Sequence, residues 1–101
     1  MSDETNKNDF PEKHQIRQEA VAILLHGLKQ QKVGKPLSKT LWNLWGKARN
    51  TATPEFVQMV ENNPDAPETA PVLDAFLKEQ MEKTRFFLSV MTMVDTFKKK
   101  G

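Results

Sequence analysis

The chain contains no cysteine. Disulfides, cysteine-ligated zinc and thiol nucleophiles are therefore excluded as ways to hold the fold or do chemistry. Histidine is scarce as well. His14 and His26 are the only two, 12 residues apart on one predicted helix and pointing in different directions, so they make no metal site. No glycine-rich loop is present to cradle a phosphate; Gly27, Gly34 and Gly46 are dispersed. No nucleophile elbow or carboxylate pair stands apart from ordinary helix surface. No cofactor is implied, and the expected function is not enzymatic.

Long apolar runs are missing too. The most apolar stretch, Phe86 to Phe97, is 12 residues long and is interrupted by Ser89, Thr92, Asp95 and Thr96. A membrane-spanning helix needs about 20 apolar residues, so no membrane insertion is expected. Met1 to Asp9 is polar with no apolar run behind it, which does not fit a secretory signal. The expected location is the cytoplasm.

The last absence is local. From Ala20 to Pro54 there is no acidic residue. The same window holds Lys29, Lys32, Lys35, Lys39, Lys47 and Arg49, together with both tryptophans, Trp42 and Trp45. Charge is distributed in blocks although the whole chain carries only +2. Residues 15–50 have seven bases and one acid; residues 51–82 have seven acids and one base. Two readings follow. The blocks neutralise each other in the fold, or a basic face is left over for a partner.

The 101 residues suffice for one domain with a modest core. Residues 1–11 read as a disordered tail, low in apolar residues and ending at Pro11. Residues 12–101 read as a single helical domain. A first helix is predicted from about Glu12 to Gln31, where Ile16, Ala20, Ile23, Leu24, Gly27 and Leu28 follow the helical period. Gly34 and Pro36 end it. A second helix runs from Pro36 or Ser38 to Arg49. At about 100° per residue, Leu37, Leu41, Leu44 and Ala48 share one face, with Trp45 at its edge. Trp42 falls on a different arc, with Lys39, Gly46 and Arg49. Thr53 caps a third helix over Pro54 to Asn62.

Thr69 is expected to cap a fourth helix beginning near Pro71. No Gly or Pro follows before Gly101, so this helix is predicted to run about 26 residues, roughly 39 Å. It carries two apolar stripes. One holds Leu73, Phe76, Leu77, Phe87, Met91 and Val94; the other holds Phe86, Val90, Met93 and Phe97. Two stripes exceed what one small domain covers easily, and an uncovered apolar patch marks a partner site; the alternative is a monomer in which the first helix covers the second stripe. The fold expected is all-α: a small bundle of about four helices with a long C-terminal helix, forming a homodimer through Phe86, Val90, Met93 and Phe97.

Three functions fit these features. The leading one is a small adaptor or regulator that binds a protein through Trp42, Lys39, Arg49 and Lys35; tryptophan and arginine are enriched at interface cores. The second is a nucleic-acid binder using the same basic face, with Trp42 stacking on a base. A helix-turn-helix made of the second and third helices is disfavoured, because Glu55 to Asn62 has two acids and no base to meet phosphate. The third rests on a short resemblance. His26-Gly27-Leu28-Lys29-Gln30 is similar to the His-x-Leu-Lys-Gly core of histidine phosphotransfer domains, which are helical bundles. The resemblance covers five residues, and Gln30 stands where that family has glycine. It implies phosphoryl transfer to an exposed His26, with Lys29 beside the added charge and a small Gly27 leaving room for the partner.

Overall fold

The computed structural model describes residues 2–100, with side chains from Lys13 to Lys99. The fold is all-α with five helices: α1 (Ser2–Lys32), α2 (Lys39–Thr51), α3 (Pro54–Asn62), α4 (Thr69–Gln80) and α5 (Thr84–Lys100). The tail expected over residues 1–11 falls on the first part of α1, whose side chains lie outside the described ones.

α1 is the spine. Ala20, Val21, Leu24 and Leu28 are buried along it, and it packs chiefly against α4 and α5. Its end is set locally. The amide of Lys35 donates to the Gln30 carbonyl at 2.9 Å and that of Gly34 to Gln31 at 3.1 Å. Gly34 itself sits at φ 97°, the left-handed conformation that a Cβ disfavours.

α2 docks on α1 at a glycine. A Cβ on Gly27 would lie 2.6 Å from Leu41 Cδ1 and 3.1 Å from Leu37 Cδ2. The missing side chain lets Leu41 of α2, and Leu37 just ahead of it, settle on the α1 backbone. The Ser38 hydroxyl caps α2 by accepting from the Leu41 amide at 3.3 Å, and Thr53 caps α3 by accepting from Phe56 at 3.2 Å. Leu41, Leu44, Trp45 and Ala48 form the buried face of α2. Across from it, Val57 and Val60 of α3 join the core, and Phe56 stacks at 4.8 Å on Phe76 of α4.

The long C-terminal helix does not form. The chain breaks at Met81–Lys83, giving five helices rather than about four. Glu82 and Lys83 donate to the carbonyls three residues back, at 3.3 and 3.0 Å, so a tight turn forms without glycine or proline. Burial explains the break. Met81, Phe86, Val90, Met93 and Val94 are all buried after the bend, with α5 lying along α1 and α2. Each fully buried apolar side chain contributes about 1.5–3 kcal/mol, against about 0.5–1.5 kcal/mol per helical hydrogen bond given up. A straight helix would keep the bonds and leave one stripe in water.

Two expectations are corrected by the same packing. Phe86, Val90 and Met93 do not present an oligomer interface; they are core residues at 7%, 0% and 0% exposure, and Phe97 packs against them half-buried. Thr69 does not cap α4. It is the first residue of that helix, fully buried, and its hydroxyl donates back to the Asn63 carbonyl at 2.6 Å.

Candidate functional site: the groove between α2 and α3

Two tryptophans one turn apart on α2 have opposite environments. Trp45 is 1% exposed, and its indole N–H donates to Glu61 Oε2 at 2.7 Å. Trp42 is 48% exposed. The difference follows from helical phase. Trp45 shares the arc of Leu41, Leu44 and Ala48, whereas Trp42 lies on the arc of Gly46 and Arg49.

That outer arc is one wall of an open cleft of about 760 Å³. Trp42, Gly46, Arg49 and Asn50 come from α2, while Pro54, Val57, Gln58 and Glu61 come from α3, with Ala52 at the corner. Gly46 gives the cleft its depth: a Cβ built there meets nothing within 4 Å. The glycine is therefore not required by any contact within the domain, unlike Gly27. Helix interiors disfavour glycine by about 1 kcal/mol relative to alanine, so the empty position has a cost that the fold does not demand.

Charge in the groove is balanced. Arg49 Nε lies 3.5 Å from the same Glu61 oxygen that accepts from Trp45, and both charged side chains remain partly exposed. Glu61 thus ties α3 to α2 and holds the arginine at the groove. Elsewhere the basic and acidic blocks also meet. Arg17 pairs with Asp74 at 2.7 Å and Lys29 with Asp65 at 3.7 Å. Lys32 donates to the Asn62 carbonyl at 2.5 Å. Much of the basic window is therefore answered by residues 51–82.

Of the four contact residues read from sequence, the fold brings Trp42 and Arg49 into one groove. Lys39 is exposed one turn before Trp42, and Lys35 is exposed in the loop ahead of α2; neither lines the cleft. Asn50, Gln58 and Glu61 were not singled out from sequence. Asn50 lies two turns beyond Trp42 on the same helix arc and was within reach of helical projection. Gln58 and Glu61 are contributed by the neighbouring helix, and nothing local to Trp42 announces them.

His26 is exposed on α1. Its neighbours are used by the fold, however. Gly27 makes room for Leu41 and Leu37 of the same chain rather than for a partner, and Lys29 is paired with Asp65. Among the described residues, no group of three or more His, Asp or Glu is placed to hold a metal ion, and no helix is long and apolar enough to cross a membrane. Compared with protein families, with curated proteins and with solved structures, the chain has no match. The assignment of function therefore rests on the groove itself.

Proposed function

We propose that this chain is a small non-enzymatic adaptor or regulatory domain that binds a protein segment in the α2–α3 groove, with Trp42 as its anchor. The observation that carries this reading is a half-exposed tryptophan beside a helix position left empty by Gly46. Tryptophan is the residue type most enriched among interface hot spots, and an unfilled space beside it accepts a partner's side chain. The fitting occupant is a peptide segment with one apolar side chain for the space at Gly46. Asn50 and Gln58 supply amide groups for its backbone.

The groove's charge favours protein over nucleic acid. Its one cation is paired with Glu61, and Lys35 and Lys39 stand outside it. A phosphate chain gains its affinity from several unpaired cations and is repelled by a carboxylate. Phosphoryl transfer through His26 is less well supported, since Gly27 and Lys29 serve packing and an ion pair. A dimer built on Phe86, Val90, Met93 and Phe97 is not carried forward, and the domain is proposed to act as a monomer.

The test uses peptides selected from a random display library on the full chain. The Trp45→Phe variant leaves Trp42 as the only fluorophore, so titration reads the groove directly. A selected peptide is expected to shift Trp42 emission, and its affinity is expected to fall at least about tenfold in both Trp42→Ala and Gly46→Leu, the range of a hot-spot loss. Peptides that bind these variants as well as the parent would assign contact to another surface.

A further inference from the structure

Little separates the corner between α4 and α5 from continuous helix. It consists of Met81, Glu82 and Lys83, all good helix formers, with neither glycine nor proline. The Met81 amide still makes an α-helical bond, donating to the Leu77 carbonyl at 2.8 Å. Its φ of −71° and ψ of −8° lie in the right-handed region, about 35° of ψ from the α-helical value. No residue of the turn has positive φ. Helical bonding resumes at once, with the Phe87 amide on the Lys83 carbonyl at 2.9 Å. Only the bonds from Glu82 and Lys83 to carbonyls three residues back mark the break.

What holds the bend lies elsewhere. The α5 backbone runs along α1 and α2 rather than against α4. Phe86, Val90, Met93 and Val94 are buried there. Lys98 pairs with Glu19 of α1 at 3.5 Å, and Lys47 of α2 donates to Ser89 at 2.8 Å. α4 and α5 are joined by the turn and by little else. The turn itself is incompletely satisfied. The amides of Thr84, Arg85 and Phe86 open α5 and have no carbonyl of that helix to meet. Gln80, the last residue of α4, keeps a buried side-chain oxygen without a hydrogen-bond partner, which native structures seldom do. A straight helix returns the amides of residues 84–86 to the carbonyls of residues 80–82.

We propose that the α4–α5 turn is a hinge through which two copies of this chain exchange α5. On opening, α4 and α5 become one helix over Thr69–Lys100, roughly 48 Å long. α5 then docks on α1 and α2 of the second copy, which returns its own α5 in the same way. The core contacts of the closed form re-form between chains, so burial is the same in both states. The states differ at residues 80–86, where the straight helix gains hydrogen bonds, and in the entropy lost on association. The closed monomer therefore prevails when dilute and is the form proposed to act at the groove; the exchanged dimer grows with concentration. Conversion is slow, because α5 must first expose its buried side chains to water. Phe86, Val90 and Met93 remain core residues throughout and never form a surface stripe. The groove residues all come from α2, α3 and the corner between them, so each half of the dimer keeps an unaltered groove.

The experiment mixes ordinary full chain with chain labelled in heavy nitrogen. The concentrated mixture is warmed to just below its melting temperature, cooled, and separated by gel filtration with light scattering. A carbodiimide then couples the Glu19 carboxylate directly to the Lys98 amine, and the joined peptides are weighed. A dimer that survives dilution in the cold is expected, with Glu19–Lys98 peptides that join a heavy to a light chain. The monomer fraction is expected to give peptides of one label only. Thr84→Pro places proline at the first position of α5, where a helix accepts it, but in the middle of the long helix. This variant is expected to melt as a folded monomer and to form no dimer. Lys83→Gly disfavours the straight helix at two hinges per dimer and is expected to weaken dimerisation about tenfold or more; it decides the matter if Thr84→Pro does not fold. Absence of any dimer overturns the proposal. So does a dimer whose Glu19–Lys98 peptides carry a single label, or one that Lys83→Gly leaves undiminished. Trp42→Ala is expected to exchange like the parent, so failure here is separable from failure at the groove.

Discussion

The two tryptophans of α2 differ by less than one helical turn in position and by nearly half their surface in exposure. Trp45 is enclosed and hydrogen-bonded to Glu61; Trp42 is open beside a glycine. The two central glycines repeat the contrast. Gly27 is filled by Leu41 and Leu37, whereas Gly46 faces empty space. One member of each pair is explained by the fold. The other is left open at the surface, and both of these residues line the same groove. The lesson is that composition marks residues of interest, while only their surroundings separate structural from contact roles.

Mutations are the way to break this contrast. The largest effect is expected for Trp45→Ala, which empties a core position and leaves Glu61 facing the void: a loss of about 3–5 kcal/mol, read by chemical denaturation. Glu61→Leu comes next. It leaves the buried indole N–H of Trp45 without an acceptor, at about 1–3 kcal/mol, whereas Glu61→Gln keeps an acceptor and gives up only the exposed pair with Arg49, within about 1 kcal/mol. If both Glu61 variants melt alike, the Trp45 hydrogen bond is not what joins α2 to α3.

Gly27→Ala and Gly46→Ala are expected to move stability in opposite directions. At Gly27 the new methyl meets Leu41 in a packed interface, and overpacking costs about 1–3 kcal/mol against a helix-propensity gain of about 1 kcal/mol. A net loss follows. At Gly46 nothing opposes the propensity term, so the variant should gain about 0.5–1 kcal/mol. The same sign at both sites would erase the distinction drawn between them. The smallest stability change is expected for Trp42→Ala, within about 0.5–1 kcal/mol, because a half-exposed side chain on the outer arc leaves no sealed cavity. A loss approaching that of Trp45→Ala would make Trp42 a structural residue.

Features set by neighbouring residues were legible in the sequence. The caps at Ser38 and Thr53, the left-handed Gly34 and the start of α3 at Pro54 all depend on side chains within three or four positions. The seam of α2 and the separation of Trp42 from Trp45 follow from helical phase alone. The turn at Met81–Lys83 was not legible, because it contains no residue that breaks a helix. It forms because burying the second apolar stripe outweighs continuing the helix, and that balance involves α1. Periodicity identified Phe86, Val90 and Met93 as one face but not what covers that face. The groove was half legible for the same reason: Trp42, Gly46 and Arg49 share a helix arc, whereas Gln58 and Glu61 reach them only through the packing of α3.

The most direct test of the central proposal is the affinity of a selected peptide for Gly46→Leu, measured beside the thermal melts of parent and variant. A Cβ at this position meets nothing within 4 Å, so the melt should be unchanged or raised. Binding should fall at least about tenfold, because the leucine occupies the space offered to the partner. Unchanged affinity in a folded Gly46→Leu would contradict the groove as the contact site.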